Sequence, residues 1–224
     1  MKYITGHVWL REHEQAQSAR ESVLLQQVCY DACHIVLACV CDGSELGGYV
    51  TGRLKSWLQV NCTRLFGKNK DVKTVSKELA KELAVLRDET ADHMAGKSSK
   101  EDRQHTLNLS GILIVDKICF LFSAGEGCFY LLNRRFNMTH RKKLAGIGTV
   151  PWQITEGIIQ KKVGILLGTA SFLGGVGKEA MRQCMAAQDI EREGQIDRRL
   201  REMALESCRQ GYHGDCSAVY IRSV

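Results

Sequence analysis

The chain has 224 residues, of which 44% are hydrophobic and 25% are charged, with a single proline, Pro151. This composition suits one globular domain over residues 1–224, because no Pro-rich or Gly/Ser-rich stretch is present to serve as a linker. The net charge of +6 is compatible with nucleic-acid binding, but basic residues alternate with acidic ones in segments such as SKELAKELAVLRDE, and this pattern argues against such binding.

The first half of the chain predicts strands followed by two helices. YITGHVWL and ESVLLQQVC are short β-prone runs, and HIVLACVC is nearly continuous in apolar residues, as a strand buried on both faces would be. Apolar side chains recur at helical spacing from about Gly48 to Asn61 and again from Val72 to Met94. We therefore expect two helices after the buried strand.

The second half predicts mostly antiparallel strands. TLNLSGILIVDKICFLFSAGEGCFYLLNRRF contains three strand-like runs separated by turn residues, and GIIQKKVGILLGTAS supplies one or two more. The segment from Gly177 to Gly211 indicates one long helix or two shorter ones interrupted near Gly194, and SAVYIRSV forms a last strand. Strands and helices grouped in this order predict an α+β fold with helices outside a sheet sandwich.

The ten cysteines show no CxxC pair and no zinc-finger spacing. Most of them lie in apolar runs, where a free thiol behaves as a small hydrophobic side chain. We interpret them as buried, reduced thiols, with a metal or redox site as the alternative.

Acidic residues stand where three predicted strands begin or end. Asp42 follows LACVC, Glu126 follows FLFSAG, and Asp215 precedes SAVYIRSV. Each one alone is explained as a turn residue, because Asp beside Gly is common in turns. Carboxylates from several strand ends can also meet at one edge of a sandwich and bind Mg²⁺ or Mn²⁺ through oxygen.

The order of these motifs resembles the type-2C metal-dependent protein serine/threonine phosphatase family, also called the PPM family. VCDGSELGG is similar to the family's VxDGMGG, GILLGTASFL to LLLCSDGL, and GDCSAVYIRSV to DNxTxIVVxV. The resemblance extends from about Ser18 to the C-terminus. It implies a four-layer αββα sandwich in which two central antiparallel sheets are flanked by helices.

The resemblance also implies a metal site for Mg²⁺ or Mn²⁺, with one ligand missing. Asp42 matches the aspartate that bridges two metals in the family, Gly43 matches the glycine whose carbonyl binds the second metal, and Asp215 matches a ligand of the first. Ala170 falls where SDG places the third carboxylate of the first metal. A methyl group cannot coordinate a cation, so the implied site is incomplete.

Two further acidic residues match family positions less closely. Glu21, in ARES, stands near the aspartate of the family's NQDS motif, and Glu126, in GEGC, replaces the aspartate of GDSR. Either is a possible metal ligand or a residue that supports one. The phosphate-binding arginine of the family has no counterpart at its usual place, with Arg11 or Arg20 as possible substitutes.

Other motifs have simpler explanations. GTASFLGGVGK fails the pattern of a phosphate-binding loop, because glutamate follows Lys178. His34 and His213 are possible metal ligands, but a structural or surface role is the simpler explanation for each.

Three functions remain open at the level of sequence. The favoured one is a phosphatase-like domain, catalytically impaired, that acts in binding or regulation of a phosphoprotein or another protein partner. The alternative is an active Mg- or Mn-dependent phosphatase for phosphoserine and phosphothreonine, and the third is a scaffold that uses an outer helix face. No apolar run approaches the roughly 20 residues of a membrane span, and no signal peptide is evident. We expect a cytoplasmic protein without membrane or nucleic-acid partners.

Overall fold

The computed structural model describes residues 1–10, 23–42, 44–67, 70–95, 107–125, 128–132, 138–142, 153–186, 193–212 and 215–224. Within these ranges the chain forms ten strands and five helices. The strands are β1 (Tyr3–Leu10), β2 (Val23–Tyr30), β3 (Cys33–Asp42), β4 (Asn108–Val115), β5 (Ile118–Ala124), β6 (Cys128–Leu132), β7 (Met138–Lys142), β8 (Gln153–Ile158), β9 (Gly164–Gly168) and β10 (Cys216–Ser223). The helices are α1 (Ser44–Leu65), α2 (Val72–Ala95), α3 (Ala170–Gly175), α4 (Lys178–Ala186) and α5 (Glu193–Arg209).

The strands form two five-stranded sheets. One has the order β2-β3-β4-β5-β8 and the other the order β1-β10-β9-β6-β7. Neighbouring strands are antiparallel in both sheets. The predicted α+β class with two central antiparallel sheets is confirmed.

Strand β3 shows why its sequence is apolar at nearly every position. Successive side chains of a strand point to opposite faces, so alternate residues enter different layers. Ile35 and Leu37 pack with the first helix pair, whereas Val36 and Ala38 pack with residues of the other sheet. Both faces of β3 are therefore buried.

Helices cover the outer face of each sheet. Leu54 of α1 and Leu79 of α2, both fully buried, share one apolar cluster with β3. Phe172 of α3 and Leu200 of α5 share another with Tyr220 of β10. A third cluster lies between the sheets, which gives the four layers αββα. None of the helices in the described part of the chain is long and apolar enough to cross a membrane.

Several elements differ in detail from those expected. Helix α1 is longer than the predicted Gly48 to Asn61 segment, and α4 and α5 are two helices, with Gly194 in the first turn of α5. The strand predicted through GILLGTAS ends at Gly168, where Thr169 caps α3. A Thr hydroxyl that accepts a hydrogen bond from a helical N–H favours this change from strand to helix.

Strand register determines which strand ends lie together. The Tyr3 hydroxyl donates a hydrogen bond to the backbone oxygen of Asp116, so β1 begins at the end of the sandwich where β4 stops. At the opposite end, Asp42 pairs with the first residue of β4, and Leu10 pairs with Cys216. Because Asp215 precedes Cys216, Asp42 and Asp215 belong to the same end of the sandwich, which we call the acidic end.

Candidate functional site

Asp42 is the last residue of β3 and lies opposite Asn108 in the ladder with β4. Its backbone is thus held by a central strand of the first sheet at the acidic end. Three of the predicted site residues, Gly43, Glu21 and Glu126, lie outside the residues that the structure describes.

Asp215 is half-buried immediately before β10, on the second sheet. The indole Nε1–H of Trp9 donates a hydrogen bond to its Oδ2 across 3.3 Å. The register explains this contact, since Trp9 lies opposite Ser217, two residues beyond Asp215. An edge strand therefore contributes a donor that occupies one oxygen of the predicted metal ligand.

Thr169 joins the end of β9 to the backbone beside Asp215. Its hydroxyl donates a hydrogen bond to the Asp215 carbonyl at 2.9 Å, and its backbone N–H donates to the Ser217 carbonyl, also at 2.9 Å. The same hydroxyl oxygen accepts from the N–H groups of Ser217, at 3.1 Å, and Phe172, at 3.3 Å. Thr169 thus caps α3 and fixes its first turn against the start of β10.

Ala170 directly follows this anchor and is the first residue of α3, exposed to solvent. The position predicted to carry the third carboxylate is therefore held beside Asp215 by the Thr169 hydrogen bonds. The side chain at this position is a methyl group. The position to which the resemblance assigns the third carboxylate therefore supplies no oxygen.

Two of the predicted ligand positions have described side chains, Asp215 and Ala170, and they supply one carboxylate between them. Mg²⁺ and Mn²⁺ require several oxygen ligands, usually including more than one carboxylate. Over the part of the chain that the structure describes, no group of three or more His, Cys, Asp or Glu residues is placed to hold a metal ion. Asp215 already accepts the Trp9 hydrogen bond, and Ala170 contributes no oxygen.

Ser217 carries a polar atom without a partner. It is fully buried, and its Oγ makes no hydrogen bond to any described residue. A buried hydroxyl in that state costs free energy unless an ordered water satisfies it. The polar environment of the acidic end therefore extends from Asp215 into the interior.

Sequence reasoning missed Trp9 and Thr169. Nothing in the local sequence singles out Trp9, because no local pattern shows that β1 pairs with β10. Thr169 carried a usable signal, since threonine before a short apolar segment is a common helix N-cap.

The remaining candidates lie elsewhere or have other roles. His34 lies at the start of β3, at the end opposite Asp42, where its backbone N–H donates to Asp116 Oδ1 at 2.9 Å. The segment from Thr169 to Lys178 forms the cap and body of α3 and the start of α4. His213 lies outside the described residues.

Over the described part of the chain the cysteines are free, and the expectation that they are buried holds for most of those whose side chains are described. Cys33, Cys39, Cys41, Cys119 and Cys216 are buried, and burial raises the pKa of Cys216 to about 11. The expectation was wrong for Cys29 and Cys208, which are exposed. Periodicity within one element does not reveal which ends of strands and helices neighbouring elements leave uncovered.

Solved structures of known proteins share this fold over the whole chain. The S. agalactiae serine/threonine phosphatase has a TM-score of 0.71 at 4% identity, and the match covers 100% of both chains. PppA, described as a key regulatory component of the T6SS in Pseudomonas aeruginosa, has a TM-score of 0.68 at 10% identity, covering 100% of this chain and 99% of its own.

A third match is the catalytic domain of the phosphatase PstP in complex with two manganese ions, with a TM-score of 0.63 at 10% identity over 99% of each chain. No protein-family model matches the sequence, and no curated protein matches it significantly. At such low identities the likeness shows the fold, and it confirms the predicted PPM-type phosphatase architecture.

Proposed function

We propose that this chain, which has the fold of PPM-type serine/threonine phosphatases, is a catalytically impaired phosphatase-like domain that acts in binding or regulation. The proposal rests on the identity of residue 170, which is alanine. Ala170 is exposed at the start of α3, and the Thr169 hydrogen bond to Asp215 holds it beside that residue. Ala170 stands where the resemblance expects a carboxylate, and its methyl group offers no oxygen to a cation.

In two-metal phosphate ester hydrolysis, the protein supplies little to catalysis besides the metal ligands. A two-metal site activates the attacking water and neutralises charge on the phosphoryl oxygens, so its ligands make up most of the catalyst. Removing one carboxylate leaves the first cation with Asp42 and Asp215, and Asp215 also accepts the Trp9 hydrogen bond. We expect weak cation binding and poor turnover from this donor set.

The partner that we propose is a phosphoprotein or another protein, reached through the acidic end. A domain that has lost efficient turnover can still present the acidic end, with Asp42 and Asp215, as a binding surface. PppA, which shares the fold, is described as a regulatory component, and this supports a regulatory use of the fold. We propose a cytoplasmic location and a single domain over residues 1–224.

Activity is tested with a generic phosphate ester and a phosphothreonine peptide in the presence of Mn²⁺. The wild-type chain is compared with Asp42→Ala and with Asp92→Ala, which removes an exposed carboxylate from α2 instead. We expect equally negligible release of phosphate from all three. Retention of the phosphopeptide without phosphate release supports a binding role.

An active phosphatase is the second candidate, because β-strand register brings Asp42 and Asp215 to the same end of the sandwich. Turnover that disappears in Asp42→Ala and persists in Asp92→Ala would establish it and overturn the impaired-enzyme proposal.

A further inference from the structure

Two cysteines from different elements lie side by side near the acidic end. Cys208 is in the last turn of α5, Cys216 is the first residue of β10, and their sulfur atoms are 3.8 Å apart. We propose that Cys208 and Cys216 form a reversible intramolecular disulfide when the protein meets a peroxide. The proposal concerns a modification site and does not depend on whether the domain hydrolyses phosphate esters.

The two thiols differ in the way that such a reaction requires. Cys208 is exposed and therefore accessible to a dissolved oxidant. Cys216 is fully buried and is fixed in the sheet by its pairing with Leu10. The exposed sulfur reacts first, and the buried sulfur is positioned to attack it.

The atoms and electrons of the reaction balance with peroxide as the oxidant. The Cys208 sulfur takes one peroxide oxygen to become a sulfenic acid, and the other oxygen leaves as water. The Cys216 sulfur then displaces the sulfenic hydroxyl, which leaves as a second water with the Cys216 proton. Two thiols lose two hydrogens, one disulfide forms, and a dithiol reductant reverses the change.

The geometry requires a small movement at one end of a helix. A disulfide bond is about 2.05 Å long, so the sulfurs must approach by somewhat less than 2 Å. Helix α5 ends at Arg209, and Gly211 follows in the left-handed region with φ of +79°. Because Cys208 is in the exposed last turn and Cys216 is in a sheet, the movement falls on Cys208.

The link would tie the end of α5 to the strand that begins one residue after Asp215. Asp215 is also held by the Trp9 indole and, through its carbonyl, by Thr169. The oxidation state of the thiol pair would therefore be coupled to the rigidity of the acidic end. We expect the oxidised protein to unfold at a higher temperature than the reduced protein.

Peptide mapping tests the proposal directly. The full chain is treated with hydrogen peroxide, its remaining thiols are alkylated, and it is digested with trypsin without reduction. We expect Glu202–Arg209 linked to Gln210–Arg222, with a mass lower by two hydrogens than the sum of the two peptides. Treatment with dithiothreitol should separate them.

Two variants provide matched controls, because each removes one exposed thiol. Cys208→Ser should abolish the linked peptide and the rise in unfolding temperature, while Cys29→Ser should leave both unchanged. Sulfinic acid on Cys208 without a link, or a disulfide between Cys208 and any other cysteine, would overturn the proposal. Loss of phosphatase activity is not a readout in any of these measurements.

Discussion

The hydroxyl group of Thr169 donates a hydrogen bond to the backbone oxygen of Asp215 at 2.9 Å. This contact joins the end of β9 to the start of β10 and holds Ala170 beside the predicted metal ligand. The missing carboxylate can therefore be tested by substitution, because the backbone at position 170 is fixed beside Asp215.

Restoring the carboxylate should strengthen cation binding. We expect Ala170→Asp to bind Mn²⁺ at least about tenfold more tightly than the wild-type chain, which corresponds to roughly 1.4 kcal/mol. Asp is tolerated in the first turn of a helix, where it interacts favourably with the helix dipole. The measurement is calorimetric titration with Mn²⁺.

Gly194→Asp is the matched control for this titration. It adds the same charge in the first turn of α5, at an exposed position where a new Cβ meets no atom within 4 Å. Equal affinities in Ala170→Asp and Gly194→Asp would mean that position 170 does not correspond to the lost ligand. Two tight Mn²⁺ sites in the wild-type chain would contradict the proposal that a metal ligand is missing.

Removing the Thr169 hydroxyl should destabilise the fold at the acidic end. In Thr169→Val, the N–H groups of Phe172 and Ser217 lose a buried acceptor, and the Asp215 carbonyl loses a donor. We expect a loss of about 2–3 kcal/mol in the free energy of unfolding, since unsatisfied buried groups each cost about 1–3 kcal/mol.

Thr169→Ser keeps the hydroxyl and removes only a methyl group. It should cost about 1 kcal/mol, the amount expected from a small cavity. Denaturant unfolding of both variants separates the two effects. If Thr169→Val and Thr169→Ser lower the free energy of unfolding equally, the hydrogen bonds of the Thr169 hydroxyl do not stabilise the fold.

Helix α3 approaches α5 closely at Gly175. A Cβ at this position would lie 1.8 Å from Oγ and 2.5 Å from Cα of Ser207. We expect Gly175→Ala to lower the free energy of unfolding by about 1–3 kcal/mol, because the overlap includes backbone atoms that cannot move aside.

Gly52→Ala is the control for this substitution, since Gly52 is exposed in α1 and its Cβ would meet nothing within 4 Å. It should not lower the free energy of unfolding, because alanine is favoured over glycine inside a helix. Thermal unfolding followed by circular dichroism measures both. A neutral Gly175→Ala would show that α3 and α5 are not packed as closely as they are in this structure.

The free energy of unfolding should fall at low pH because of Asp116, which lies at the end of the sandwich opposite the acidic end. Burial alone raises the pKa of Asp116, but hydrogen bonds from the Lys70 ammonium and the His34 N–H outweigh it and lower that pKa below its ordinary value. The unfolded chain therefore takes up this proton at a higher pH than the folded chain does. The stability that Asp116 contributes is present at neutral pH and is lost as the pH falls below about 4.

The hydrogen bond to Asp116 also raises the pKa of Lys70. The stability that the raised pKa of Lys70 represents is present at neutral pH. It is lost only as the pH rises above the ordinary lysine pKa of about 10.4. Both shifts therefore favour the folded chain between these limits.

Asp116→Asn tests the predicted loss of stability at low pH. Asparagine tolerates the left-handed backbone at this position, where φ is +57°, so the substitution mainly removes the charge. We expect a loss of about 1–2 kcal/mol at pH 7 that shrinks as the pH falls toward 3. In Asp92→Asn, which changes an exposed carboxylate of α2, the stability should follow the wild-type curve. A constant difference for Asp116→Asn across this range would contradict the assignment.

The local sequence was sufficient for the elements with strong patterns. HIVLACVC is continuously apolar because β3 is buried on both faces, and helical spacing identified α2 because one face of that helix packs on a sheet. The order of the strand-end motifs also indicated the sandwich architecture, which the shared fold confirms.

By itself, then, the sequence predicted the strands and helices with strong apolar patterns, but not strand β7 or the short helix α3, and it predicted that Asp42, Ala170 and Asp215 match one site of the family. Only the tertiary structure decided that Trp9 donates to Asp215, that Thr169 anchors Ala170, and that Cys208 lies beside Cys216. The physical reason is that periodicity reports the environment along a single element, whereas these contacts join residues distant in sequence or in different elements. They depend on strand register and helix packing, which no local pattern encodes.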